Sequence, residues 1–288
     1  MSSFDTSRYT RQQLIDVADA SPQVVGTHDK KAWLDLFSNQ GVIQDPVGTR
    51  PHRAVWDEKN KTSNKKTLDK FWETYIATND IKFHVHQDVV GANMVFRDVD
   101  IEIKASTGLV TVVPTYILYE LTEEDGKLKI ARLAAHWELI RNVKDILKKR
   151  WGGFKMMIAF SFRMPRFQGV SGLWGYMKGM RGIHKRGKND VQKFADAVNA
   201  KRNDSLKDLF DKDSSGIEFP VGGKTFDVAT FAEAAGAQIS VSEARSAGWF
   251  TGFRFEVKSQ TAAHKGVGLF EFSPKSKKIK DARFFWDK

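Results

Sequence analysis

What constrains this chain most is a phrase that it carries twice. Residues 34–48 read Leu-Asp-Leu-Phe-Ser-Asn-Gln-Gly-Val-Ile-Gln-Asp-Pro-Val-Gly. The ends of that phrase return as Leu-Lys-Asp-Leu-Phe at 206–210 and Gly-Ile-Glu-Phe-Pro-Val-Gly at 216–222. Each copy is closed downstream by an apolar strand that ends in tryptophan, Ile130 to Trp137 and Ile279 to Trp286. A chain of 288 residues has the length of about two domains. The doubled framework therefore predicts one domain over 1–145, a shorter, degenerate one over 189–288, and a connector over 146–188. Only one difference between the copies carries chemistry: the residue before Pro-Val-Gly is Asp45 in the first and Phe219 in the second. A unit that keeps its framework and drops its carboxylate predicts one working pocket and one structural copy.

Hydrophobic residues make up 41% of the chain and charged residues 28%, the balance of a globular protein that can bury a sizeable core. No run approaches the ~18 apolar residues that span a bilayer, and the first residues lack the apolar core of a signal peptide, which predicts a cytoplasmic protein. With no cysteine, disulfides, thiolate nucleophiles and Cys-ligated zinc are excluded. Charge is unevenly spread. Residues 1–145 hold 19 Lys and Arg against 21 Asp and Glu, and 189–288 hold 16 against 14, whereas 146–188 hold 11 basic residues and no acidic one. An acidic partner or surface should meet the chain there.

Helical spacing covers residues 10–20, and Ser21-Pro22 reads as the start of another helix. Asp29 reads as the N-cap of a short helix through Trp33 to Phe37. Val42-Ile43 predicts a strand running into the Asp45-Pro46-Val47-Gly48 turn. Residues 50–66 read as a polar loop, and 68–76 as a helix bearing Phe71, Trp72 and Tyr75. The period then becomes two, with Ile81, Phe83 and Val85, then Val99, Ile101 and Ile103, then a long apolar strand over 110–121, a Glu124-Asp125-Gly126 turn and a last strand over 129–139. Helices followed by an antiparallel sheet predict an α+β fold. Residues 190–288 run through the same order in shorter form, with helices at 190–200, 205–211 and 227–236.

A short helix ending in Leu-Phe, a strand into Asp-Pro-Val-Gly, a helix with Phe-Trp and three long strands closed by Trp together resemble the ketosteroid-isomerase branch of the nuclear-transport-factor-2-like (NTF2-like, SnoaL-like) superfamily. The likeness is good over 24–140 and weaker over 190–288. It implies two cone-shaped domains, each a curved antiparallel sheet wrapped against helices, the first with an apolar pocket inside and no cofactor. It also implies that Asp45 is a general base acting on an apolar, steroid-like or polycyclic carbonyl compound. By the same resemblance Phe37, Trp72, Leu133, Ala135 and Trp137 fall on pocket positions. The family's oxyanion tyrosine would fall near Ser21 and its protonated aspartate near Ile117, so neither donor is where the family has it.

A carboxylate at an apolar pocket has its pKa raised by desolvation and becomes a usable base for a proton alpha to a carbonyl. Aspartate before proline is also a good turn former, but the second copy makes the same turn with Phe219. Strand parity puts Tyr119 inward with Ile117 and Leu121, as the substitute donor, and Tyr116 on the other face of the same strand. His84 and His86 share one face without a third ligand, so no metal is expected, and His136 has outward parity. Arg97-Asp98-Val99-Asp100 is similar to the Arg/Asp set of epoxide hydrolases built on this fold, yet Arg97 shares its face with Val99 and both aspartates face away.

The connector 146–188 holds seven aromatic residues and five of the seven methionines, in helix-prone pieces over 148–162 and 170–180 joined through Pro165. It reads either as an interfacial helix on an anionic membrane surface or as helices packed on the two domains with the basic face in water. Nucleic acid is disfavoured, because both domains are near neutral and no known module is present. Two functions stay open: an isomerase-type enzyme using Asp45 and Tyr119, or a non-catalytic carrier of an apolar small molecule. By analogy with the superfamily, the two copies would pair as an intramolecular pseudo-dimer, or the chain would form a homo-dimer.

Overall fold

The computed structural model describes residues 8–234, 238–258 and 263–286. The first helix, α1 (Arg11–Gly26), opens on a reciprocal cap: Gln13 N donates to Thr10 Oγ1 at 3.2 Å and Thr10 N donates to Gln13 Oε1 at 2.8 Å. It then runs straight through Pro22 instead of restarting at Ser21. Proline has no N–H for the carbonyl four residues back, which frees Ala18 O. Arg97 Nη1 donates to that oxygen at 3.3 Å, so a tertiary contact replaces the missing helical bond.

The chain divides into two units, one of residues up to 88 with 93–180, the other of 89–92 with 181–288. In the first, Asp29 accepts from Ala32 N at 2.9 Å and caps α2 (Lys30–Asp35), and the chain passes directly into β1 (Phe37–Gln44). The stretch expected as a loop contains β2 (His52–Arg53) and a small hairpin, β3 (Val55–Asp57) with β4 (Thr62–Asn64). These strands are too short for a period to register in the sequence. Next come α3 (Lys66–Phe71), continued by a π-helical turn over Trp72–Ile76, and the long strands β5 (Asp80–Gly91), β6 (Met94–Lys104), β7 (Val110–Glu124) and β8 (Lys127–His136). The sheet order is β2-β1-β8-β7-β6-β5. β1 runs parallel to β8, with Ile43 opposite Leu133 and Gln44 opposite Ala134, and register shifts in β1 and β7 mark where the sheet curves.

Two further helices, α4 (Leu139–Lys148) and α5 (Arg150–Lys178), group with this first unit. α5 breaks at Gly169, whose φ of 69° is in the left-handed region. Pro165, the expected joint, stays inside the helix.

The second unit repeats the order with α6 (His184–Asn199), α7 (Asn203–Leu209), β9 (Ile217–Glu218), β10 (Thr225–Phe226), α8 (Phe231–Ala234), β11 (Gln238–Ala247), β12 (Phe250–Lys258), β13 (Ala263–Phe272) and β14 (Ile279–Phe285). Its sheet order is β10-β9-β14-β13-β12-β11, with β9 parallel to β14. Residues 235 and 236 of the helix expected over 227–236 lie outside the described residues. The core is dense in phenylalanine: Phe194, Phe231, Phe253, Phe270 and Phe284 are all fully buried. Each unit thus has the α+β layout of a curved, mainly antiparallel sheet packed on helices.

Candidate functional site

In the first unit the turn after β1 is held from three sides. Val47 N donates to Ala135 O at 2.8 Å, Thr49 Oγ1 donates to Pro46 O at 2.7 Å, and Arg50 N donates to Gly175 O of α5 at 3.2 Å. The last contact needs a glycine, since a Cβ at position 175 would lie 2.6 Å from Arg50 Cβ. These bonds fix Asp45 on the wall of a cavity of about 370 Å³, within the size range of small-molecule pockets. The sheet contributes Ile101, Val113, Ile117, Tyr119, Leu133 and Ala135 to that wall, and the helices contribute Trp33, Phe71 and Tyr75. α5 closes it as a roof with Met156, Met157, Phe160, Met164 and Tyr176. The wall is overwhelmingly apolar, and among the described residues Asp45 is its only carboxylate.

Trp137 follows β8 directly, and its Nε1 donates to Asp45 Oδ1 at 2.6 Å. Burial pushes the Asp45 carboxyl up from 3.8 to about 6, while the Trp137 hydrogen bond pulls it the other way. Part of the Asp45 surface remains accessible, and the residue lines the cavity. Tyr75 and Tyr176 stand near it as a stacked pair with ring centroids 6.4 Å apart. Both phenols are pushed above their ordinary value, chiefly by burial and further by the charge of Asp45. Tyr75 Oη also donates to Met164 Sδ at 3.7 Å.

Tyr119 lines the cavity and is pushed up to about 12 by burial, with the Ser21 hydroxyl acting the other way. Arg97 lies 6.0 Å from its ring. That arginine is fully buried, donates to both oxygens of Asp88 at 2.7 and 2.8 Å and pairs with Asp19. Neither Arg97 nor its carboxylates line the cavity.

Of the residues singled out in the sequence, Asp45, Tyr119, Leu133, Ala135 and Trp137 come together on this wall. Phe37 and Trp72 do not reach it; they pack behind Trp33, at ring distances of 4.8 and 5.3 Å. Tyr116 is on the opposite face of β7, with its ring 6.0 Å from Phe96. His136 shares that face but is buried instead of outward, its Nδ1 3.3 Å from Tyr116 O. His84 and His86 pair with Glu102 and Asp100 at 3.3 and 3.1 Å. Neither Tyr75 nor Tyr176 stands out as a site residue in the sequence: Tyr75 is one of three aromatics on its helix, and only the α5 roof brings Tyr176 beside Asp45.

At the corresponding turn of the second unit, Val221 N donates to Phe284 O at 2.8 Å. There Phe219 takes the carboxylate's place. Its ring lies 4.4 Å from Trp286 and within 6.5 Å of Phe231, Phe255 and Phe284.

No model of a known protein family matches this sequence, and no curated protein does. Solved structures similar to it include a delta 5-3-ketosteroid isomerase from Mycobacterium sp., 20% identical over 44% of this chain and 95% of that one, with a TM-score of 0.37. A computationally designed 17-OHP binder is 18% identical over the same shares, with a TM-score of 0.37. An LEH-like epoxide hydrolase of M. tuberculosis is 11% identical over 51% of this chain and 96% of that one, with a TM-score of 0.38. Each of these structures is matched over nearly all of its own length, and each covers about half of this chain.

Proposed function

We propose that the first unit takes up an apolar carbonyl compound in its cavity and that Asp45 moves a proton on it. The observation that carries this is a lone carboxylate on an apolar wall, held in place by the Trp137 indole and raised by burial to about 6. In the ionised form Asp45 abstracts a proton alpha to the carbonyl and returns it at a conjugated position. The negative charge that develops on the carbonyl oxygen needs a hydrogen-bond donor. Tyr119 is one candidate, and Tyr75 and Tyr176 are two more on the Asp45 side. The second unit, which has Phe219 and packed rings at the equivalent turn, serves as a structural copy, and we infer that the two units arose by duplication.

One observation favours a second reading, a carrier without chemistry. Ser21 and Ile117 line the cavity where the isomerase family would have its tyrosine and its protonated aspartate, and neither supplies an equally acidic donor. In either case the ligand is apolar and partitions into lipid, so the basic stretch 146–188 would serve to meet an anionic membrane surface. The epoxide-opening reading is disfavoured, because the Arg97 ion pairs lie off the wall.

The test mixes the full chain with a 5-ene-3-ketosteroid and follows the absorbance of the conjugated enone. The rate should rise with pH through about 6, as Asp45 ionises, and Asp45→Asn should lose about 100-fold or more. Equal rates for wild type and variant, or no turnover above buffer, would sink the isomerase reading for that substrate. Tight steroid binding without turnover would support the carrier.

A further inference from the structure

α5 carries apolar side chains on opposite faces. One face roofs the cavity with Met156, Met157, Phe160 and Met164. The other holds Trp151, Phe154, Ile158 and Phe162, spaced at three and four residues so that they form a single stripe. These side chains are open to solvent: Trp151 is 67% exposed and Phe162 is 76% exposed. Beyond the break at Gly169 the pattern recurs. Tyr176 and Met180 face the cavity, while Val170 and Trp174 are 68% and 69% exposed. The two segments meet on the cavity side, where the Phe160 and Tyr176 rings lie 5.5 Å apart, and each leaves its other face open to solvent. A helix apolar all round is ordinarily buried on every side, and this one is not.

The charge around the stripe says what should cover it. Arg150, Lys155, Arg166 and Lys178 are exposed beside it, and residues 146–188 hold no acidic side chain. Lys155 lies 5.7 Å over the Trp151 ring, so a cation borders the aromatic stripe itself. Exposed tryptophan and phenylalanine ringed by lysine and arginine fit the boundary between anionic headgroups and acyl chains. A second copy of the chain would bring the same positive charge against itself. No described helix is long and apolar enough to cross a membrane, so the mode is one of lying on the surface.

We propose that the outer face of α5 docks the chain on an anionic lipid membrane, with Trp151, Phe154, Phe162 and Trp174 entering the interface. This goes beyond the proton-transfer reading and does not need Asp45. The test sediments the full chain with vesicles of phosphatidylcholine alone or mixed with phosphatidylserine. Binding should require phosphatidylserine and weaken with salt, and Lys155→Gln and Arg166→Gln should each lower it roughly fivefold. A Trp151→Ser, Phe162→Ser, Trp174→Ser variant should lose it. Brominated phospholipid should quench wild-type fluorescence. A Trp151→Phe, Trp174→Phe variant should bind normally with that quenching reduced, which separates docking from misfolding. Asp45→Asn should sediment like wild type, so failure of the isomerase reading leaves this result untouched. Absence of binding to anionic vesicles at low salt overturns the proposal. So does equal binding to phosphatidylcholine alone, unchanged binding by the serine variant, or a dimer that the serine substitutions disrupt in a protein that ignores vesicles.

Discussion

Replacing Asp45 by asparagine should stabilise the protein at neutral pH and cease to do so in acid. A rise in pKa from 3.8 to about 6 corresponds, at about 1.36 kcal/mol per tenfold change in proton affinity, to about 3 kcal/mol. The sign follows from which state holds the proton. Between pH 4 and 6 the unfolded chain has released it and the folded chain keeps it, so stability falls as pH rises through that window and levels off above it. Asparagine does not titrate and retains an oxygen that can accept from the Trp137 indole. The 3 kcal/mol is a ceiling, since Asp45 keeps some accessible surface and water in the cavity would solvate its charge. The measurement is urea unfolding of wild type and variant at matched pH values from below 4 to 7.5, taking the difference at each so that all other groups cancel. An advantage for the variant of about 1–3 kcal/mol at pH 7.5, shrinking to nothing below pH 4, is the expected curve. A flat difference would show that the carboxylate is not desolvated, and the base assigned to the site would lose its physical footing.

Two further perturbations probe the frame around the site. Arg97→Leu should destabilise by about 3–5 kcal/mol in urea unfolding, because Asp88 and the Ala18 carbonyl lose their buried partner; a change below 1 kcal/mol would refute the role given to that arginine. Phe219→Ala should cost about 3 kcal/mol by opening a cavity among Phe231, Phe284 and Trp286, and it should leave any Asp45-dependent turnover intact, as judged by thermal melting beside the enone assay.

The repeated phrase made Asp45 and Trp137 legible together. In each copy the first strand lies parallel to the last, so the turn residue meets the closing tryptophan, Asp45 with Trp137 across 92 positions and Phe219 with Trp286 across 67. Parity put Tyr119 inward, and the family resemblance put Leu133 and Ala135 on the pocket face; all three line the cavity. What the sequence hid was whatever depended on contacts between distant segments. Pro22 looked like a boundary because the bond that excuses it comes from Arg97. Tyr176 looked like one aromatic among several in a basic stretch, since α5 is apolar on two faces and no single period stands out. Phe37 and Trp72 have the right residue type and fall one layer too deep, behind Trp33.

The roof has one further consequence. Whatever sits in the cavity touches the inner side of α5, and whatever covers the stripe touches its outer side. Two sites that share one wall are thermodynamically linked if filling either changes how that wall is held. The linkage is then reciprocal: a surface that tightens the cavity's grip on its ligand tenfold must itself be gripped tenfold more tightly by the filled protein than by the empty one. Loading would thus decide residence at the surface, and release of the ligand would release the protein with it.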